Sequence, residues 1–390
     1  MINEISYKNL LKYVEEIQNN LSKNSYAGYD PYDALNSPLF GFPILKSNKT
    51  IRFVWQQIFR RIPFNIRPLV GIKKEINPVT LGLSIQAYSY LAKVFPEKEK
   101  EYSTEIEFCL NKLEELKSHS YSGYCWGYNF DWEARYTKIN KYVPTVVATG
   151  IITNGLYENY RLLGNEKSKE MLLSASKFVL NDLNKYEVDD GLCYSYSPAD
   201  NQLVFNASLK GARLLAQVYS ITKADSLISE IIKSVNYVVS KQRKDGSWAY
   251  SEGDARTWSD NYHTGYVLDC LEEITKYIFN KNVSVVLQKG FDFYQENFFL
   301  IDGAPKYYNN KTYPIDSTAG AQSILTLTRF GELKKAKEVM NWMLKNMFDK
   351  AGYFYYQKIK FYKHKTSYPR WSGAWMFVAL AYYLYRCSDE

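Results

Sequence analysis

One short pattern returns five times along the chain and limits what the chain can fold into. A small or acidic residue is followed by glycine and then by a run of residues ending in tyrosine. The copies are Ser122-Gly123-Tyr124-Cys125-Trp126-Gly127-Tyr128, Asp190-Gly191-Leu192-Cys193-Tyr194-Ser195-Tyr196, Asp245-Gly246-Ser247-Trp248-Ala249-Tyr250, Asp302-Gly303-Ala304-Pro305-Lys306-Tyr307 and Ala351-Gly352-Tyr353-Phe354-Tyr355-Tyr356. Their glycines stand 68, 55, 57 and 49 residues apart. Regular self-similarity of this kind marks an array of like units that bury their apolar faces on one another. A glycine at each turn predicts the positive φ that a tight turn after a helix requires.

Two helical segments lie between successive turns. Residues 143–163 are apolar nearly all round, as a helix covered on both sides must be. Met171, Leu172, Ala175, Phe178 and Val179 form a single stripe, the mark of a helix with one buried face. The same alternation predicts inner helices near 78–95, 143–163, 206–221, 260–278, 316–330 and 371–386. Outer helices are predicted near 98–117, 166–184, 225–242, 282–298 and 332–347. A helix at 4–24 supplies the sixth outer position, and residues 25–75 stand apart as an insertion before the helix pairs of 76–390. Asn77-Pro78, Asn206 and Asp316 read as helix starts. The sum is one all-α domain, an (α/α)6 toroid or six-hairpin barrel, with short β-hairpin-like loops at one rim.

Five cysteines, an odd number without a CxxC, suggest buried free thiols rather than disulfides or a zinc cluster. The first residues carry charge throughout, unlike a signal peptide, and no 18-residue apolar run occurs, so the expected location is cytoplasmic. The net charge of +8 has one local source. Between Asp33 and Glu75 there is no acidic residue, while Lys46, Lys49, Arg52, Arg60, Arg61, Arg67, Lys73 and Lys74 all fall there. Interleaved with Phe53, Trp55, Phe59 and Phe64, they suggest peripheral contact with an anionic inner-membrane face through residues 46–74, or attraction of an acidic or lipid-linked glycan. No nucleic-acid recognition module is present, and nucleic acid is not an expected partner.

Helix pairs joined by Asp-Gly-aromatic turns resemble the α/α toroid superfold. That superfold is shared by six-hairpin glycosidases, toroid polysaccharide lyases, C-terminal domains of glucuronyl C5-epimerases, and terpenoid cyclases with protein prenyltransferases. The strings GYDPYDALNSPLF, WGYNFDWEAR, DNYHTGYVLDCL and YPRWSGAWM are similar to a family of toroid proteins associated with surface-polysaccharide biosynthesis loci. The resemblance implies a carbohydrate context more than a reaction. Tyr262-His263-Thr264 also resembles the histidine segment of prenyltransferases, but no cysteine accompanies Asp200, so that family's zinc site is incomplete.

In such a ring, the loops entering the inner helices gather at one mouth. The candidate catalytic residues are Asp131, Glu133, Asp260 and His263. Carboxylates can serve as acid or base, and a histidine beside an aspartate and a tyrosine can relay a proton. Candidate substrate contacts are Trp126, Tyr128, Arg135, Tyr196, Trp248, Tyr250, Arg256, Trp258, Tyr262, Tyr307, Asp316, Tyr356, Arg370 and Trp371. Aromatic faces suit sugars, and arginine suits a carboxylate or phosphate. Tyr29, Asp30, Tyr32, Asp33 and Asn36 read as a turn-rich lid, and His119 and His364 as exposed loop residues. No metal or cofactor is called for. The expected partner is an oligo- or polysaccharide, acidic or lipid-linked. Paired carboxylates would hydrolyse it, whereas a histidine or tyrosine base with an arginine would give uronic-acid lyase or C5-epimerase chemistry. A non-catalytic glycan-binding scaffold is the competing class, and a terpenoid or prenyl enzyme the third.

Overall fold

The computed structural model describes residues 7–134, 136–278 and 281–388. The chain opens with α1 (Tyr7–Lys23) and passes through α2 (Pro43–Ser47) and α3 (Lys49–Arg61). It then alternates between two layers: α4 (Pro78–Val94) and α5 (Glu99–Glu115), α6 (Val146–Leu163) and α7 (Glu166–Asn181), α8 (Phe205–Thr222) and α9 (Ile228–Ser240). The last pairs are α10 (Asn261–Thr275) and α11 (Lys281–Asn297), α12 (Ser317–Arg329) and α13 (Leu333–Met347), before α14 (Trp375–Ser388). Inner helices α4, α6, α8, α10, α12 and α14 each pack on the next, and α14 returns to α4 to close the ring. Each of these carries an outer helix on its back, and α1 takes that position on α14. The architecture is the (α/α)6 toroid.

The two layers follow from residue pattern. In α4 every residue from Pro78 to Ala92 is buried, whereas α13 buries one stripe that includes Ala336, Val339, Met340 and Met343. Glycine lets neighbouring inner helices meet backbone to backbone. A Cβ on Gly155 of α6 would lie 2.1 Å from the carbonyl oxygen of Gly82 in α4.

The repeat glycines do a related job at the rim. A Cβ on Gly123 would come within 1.9 Å of the Ser174 carbonyl oxygen in α7, and one on Gly246 within 2.5 Å of the Lys289 oxygen in α11. Gly303 stands likewise against Glu338 in α13, and Gly352 against Glu16 in α1. Each of these loops is thus pressed onto the outer helix of the following pair. Positive φ occurs at Gly246, Gly303 and Gly352 but not at Gly123 or Gly191, so close approach rather than turn geometry is the commoner reason for the residue. The strands beside these turns are short. The longest pair, Lys185–Val188 with Gly191–Tyr194, has four residues a side.

Helix starts depart from the sequence reading in one place. Asn77 caps α4 through Val79 N–H, and Asp316 caps α12 through Thr318 and Ala319 N–H. Asn206, however, lies inside the first turn of α8, whose cap position is Val204. Cys109, Cys125, Cys193 and Cys270 are buried free thiols. His364 is buried rather than exposed, packed against Tyr356 and Tyr368. Burial and the neighbouring Arg67 push its imidazole down to about 4.

The insertion is pinned at its base by a two-residue ladder, Ala27–Gly28 against Glu75–Ile76. Its other end folds back over the mouth. Arg67 donates to Asp33 at 2.6 Å inside the insertion. Arg52 Nε reaches Glu133 at 2.6 Å, and Arg370 meets Asp30 at 2.5 and 2.8 Å. Among the described residues no helix is long and apolar enough to cross a membrane.

If glycine is required for approach, Gly123→Ala should lower stability by about 2–3 kcal/mol through overpacking against a backbone that cannot move aside. Gly331→Ala, at φ 81° with open space around it, should cost only about 1 kcal/mol from the left-handed backbone. Urea unfolding of the two variants checks the order; equal losses would remove the close-approach explanation.

Candidate functional site

The mouth of the ring holds a cavity of about 350 Å³, within the range of small-ligand sites. Its floor comes from the starts of inner helices, through Val147 and Ile151 of α6, Tyr262 and Tyr266 of α10 and Trp375 of α14, and from Trp371 in the π-helical turn Pro369–Ala374 that leads into α14. The walls come from the aromatic loops, through Tyr128, Trp132, Tyr196, Tyr250, Trp258 and Tyr307. The remaining side is closed by the insertion, through Tyr32 and through Phe53, Gln57 and Arg60 of α3.

Asp260 is the N-cap of α10 and thereby fixes His263 one turn on. Its Oδ1 accepts the backbone N–H of His263 at 3.0 Å, and its Oδ2 lies 2.7 Å from His263 Nδ1. Trp258 Nε1 donates to the same Oδ2 at 3.2 Å. With Asp260 ionised, the proton of a neutral imidazole resides on Nδ1 and the lone pair on Nε2. The ring is held by Tyr250 and Tyr262, with centroids 4.6 and 4.1 Å away. Tyr262 and Tyr307 join hydroxyls at 3.0 Å, and burial raises both well above the ordinary phenol range. They therefore stay protonated near neutral pH and act as hydrogen-bond donors.

Three arginines line the cavity, and their charges are met differently. Arg256 is held by Asp254, with Nε 3.0 Å from both carboxylate oxygens. Arg370 is held by the two-point pair with Asp30. Arg60 lies over the Tyr32 ring at 4.4 Å, its Nε is buried without an acceptor, and no described carboxylate forms an ion pair with it. The lining carboxylates are Glu133 and Asp260, and both are engaged, Glu133 by Arg52 and Asp260 by His263 and Trp258.

The structure brings together most of the residues singled out from sequence. Glu133, Asp260, His263, Tyr128, Tyr196, Tyr250, Arg256, Trp258, Tyr262, Tyr307, Arg370 and Trp371 all line this cavity. Asp131 does not. It accepts Lys141 N–H at 2.7 Å and faces a separate cavity beside the insertion. Trp126 and Trp248 are core residues whose indoles donate to the carbonyls of Leu113 and Val238. Asp316 is buried behind the wall, where it accepts Trp371 Nε1 at 3.0 Å and Gln357 Nε2 at 2.7 Å. Tyr356 also sits behind the lining, against Arg60. Arg135 lies outside the described residues. His119 is exposed. No group of three or more His, Cys, Asp or Glu among the described residues is arranged to hold a metal ion.

Sequence reasoning offered residues 46–74 as a membrane contact or an attractor of an acidic glycan, but named no α3 residue as lining the site. The signal was present: Phe53, Gln57 and Arg60 recur at i, i+4 and i+7, one helix face.

No family model and no curated protein matches the chain. Solved structures do. A family 76 glycoside hydrolase (mannosidase) from Bacteroides thetaiotaomicron aligns with a TM-score of 0.64 at 9% identity, over 97% of this chain and 99% of that one. A cellobiose 2-epimerase from Bacillus thermoamylovorans aligns at 0.63 and 12% identity, over 97% of this chain and 100% of the other. An unsaturated glucuronyl hydrolase mutant from Streptococcus agalactiae aligns at 0.57 and 12% identity, over 99% and 92%. At these identities the likeness shows what the chain shares with them, which is the α/α toroid fold.

Proposed function

We propose that the protein acts on an acidic saccharide and moves a proton at the carbon next to its carboxylate, as a C5-epimerase or lyase does. The observation that carries this is the pairing of the Asp260–His263 dyad with Arg60 in a cavity whose other carboxylate, Glu133, is already bound. Glycoside hydrolysis asks for two carboxyl groups free to act as acid and as base or nucleophile. Both lining carboxylates are committed, so the hydrolytic reading is the weaker one.

The chemistry follows from the positions. Arg60 receives the sugar carboxylate and neutralises it, which lowers the cost of negative charge on the adjacent carbon. His263 Nε2 removes the proton from that carbon, and Asp260 stabilises the resulting imidazolium. The electron pair is held as an enolate of the carboxylate. If a protonated tyrosine of the Tyr262–Tyr307 pair returns a proton to the opposite face, the product is the epimer. If the electron pair of the enolate instead forms a double bond to the next carbon and expels its oxygen, the product is an unsaturated sugar, and the departing oxygen takes up a proton from that tyrosine.

The named neighbours include a mannosidase, a 2-epimerase of cellobiose and an unsaturated glucuronyl hydrolase, so this fold accommodates hydrolysis and epimerisation of sugars. The similarity to proteins of surface-polysaccharide loci supports a place in polysaccharide assembly at the cytoplasmic side, with a lipid-linked saccharide as the form presented. The aromatic lining also suits a second reading, a binder without turnover.

The reactions are separated by incubating an oligosaccharide of uronic acids in heavy water. Proton abstraction puts deuterium at C5, seen by NMR, or generates an ultraviolet-absorbing double bond. Reducing ends without either signal would mean hydrolysis, and none of the three a binder. His263→Ala should lower turnover by about 10²–10⁴ while saccharide binding persists. Arg60→Met should weaken acidic-saccharide binding by about tenfold to a hundredfold, the worth of a hydrogen bond to a charged group. Titration calorimetry should find neutral saccharides little affected; equal losses for both would remove Arg60 as the anion contact.

A further inference from the structure

α3 faces three ways. Phe53, Gln57 and Arg60 meet the cavity, and Gln56 and Phe59 are buried within the insertion. Val54, Ile58 and Arg61, again at i, i+4 and i+7, are exposed. The outward stripe does not stand alone. Phe42, Ile44, Phe64 and Leu69 of the same insertion are exposed, Ile44 at 79% and Leu69 at 85%. The hairpin of residues 357–364 touches the end of α3 through Tyr362 Oη, which donates to the Arg61 carbonyl at 3.2 Å, and carries Phe361 at 85% exposure. The turns bearing Leu39 and Leu69 are tied by Ser37 Oγ, which donates to Val70 O at 2.7 Å. Large apolar side chains standing out from several adjoining turns are unusual for a face meant for water.

The charge carried by these segments themselves has one sign. No acidic residue occurs between Asp33 and Glu75, and none between Asp349 and Asp389. These stretches supply exposed Lys46, Arg61, Lys73, Lys74, Lys360 and Lys365. At the edge of the same insertion, a cavity of about 210 Å³ sets Lys46, Arg52 and Lys138 against one carboxylate, Asp131. A second copy of the chain would bring like charges face to face. A surface of anionic headgroups over hydrocarbon matches both the cations and the protruding apolar side chains.

We propose that this face docks on a bilayer containing anionic lipid. Because α3 is at once the outer face and a wall of the cavity, docking sets the mouth beside the headgroup layer, where a lipid-linked saccharide would be met. What is delivered there rests on the function proposed above; the docking itself does not.

Flotation of the full chain with vesicles tests it. Partition should be at least about tenfold greater into phosphatidylcholine vesicles carrying about 30 mol% phosphatidylglycerol than into phosphatidylcholine alone, and should fall as salt shortens the reach of the charges. Ile44→Ser, Leu69→Ser and Phe361→Ser combined should cut partition about tenfold, as should Lys46→Glu, Lys74→Glu and Lys360→Glu combined, with the thermal midpoint of unfolding unchanged. His263→Ala should float as the parent does, which separates this proposal from the catalytic one. Equal partition into both vesicle types, no partition into either, or full binding by the folded variants would overturn it. So would light scattering that finds a dimer which the serine variant dissolves, since the face would then be a contact between copies.

Discussion

A glycine Cα set against the backbone carbonyl of a neighbouring helix is the contact on which this ring depends. Gly123, Gly246, Gly303 and Gly352 each press a rim loop onto the outer helix of the following pair. The pairs are thereby joined sideways as well as through their inner helices. Gly352 makes the same contact with α1, so the first helix of the chain is held by the last repeat. Backbone cannot step aside as a side chain can, and the geometry of the rim is correspondingly fixed. A rigid rim matters because, apart from α3, Tyr32 and Tyr196, the cavity is lined by these loops and by the starts of the inner helices they lead into.

Much of this was legible in the sequence because it is local or periodic. The recurring Gly-aromatic turns and the alternation of fully apolar with one-striped segments led to the right helices in the right layers. Asp260 and His263 were legible for the same reason, since a cap and a first-turn residue are fixed relative to each other by the helix itself. What was not legible depends on contacts between distant segments. Asp131 and Glu133 are two residues apart, yet Asp131 faces the cavity beside the insertion and Glu133 the mouth, and Arg52, which lines the former, pairs with Glu133. Asp316 was visible as a cap, but its hold on the Trp371 indole joins two helices far apart in sequence. Arg60 sat in a basic run that read as a membrane contact or an attractor of an acidic glycan, and only the fold-back of the insertion turns one face of that run into the cavity.

The cavity's electrostatics also come from long-range pairing. Arg256 and Arg370 are neutralised by Asp254 and Asp30, carboxylates that do not line the cavity, so these arginines order the aromatic walls more than they attract charge. Arg60 is cushioned by tyrosines instead, which leaves its charge uncompensated by any described ion pair. A buried cation is costly without a partner. It lines the same cavity as the Asp260–His263 pair, and unbalanced charge of this kind is more frequent at functional sites than elsewhere.

The ladder at the foot of the insertion has a consequence of its own. Ala27–Gly28 and Glu75–Ile76 bring the two ends of that segment together, and Gly28 is seated so tightly on Pro369 that a Cβ would lie 2.3 Å from its ring. A segment whose two ends already meet on a fixed seat gives up less chain entropy when its middle folds over the mouth. The ring then holds that middle at Arg370 through Asp30, at Glu133 through Arg52 and Gln56, and at Asn129 through Asn36.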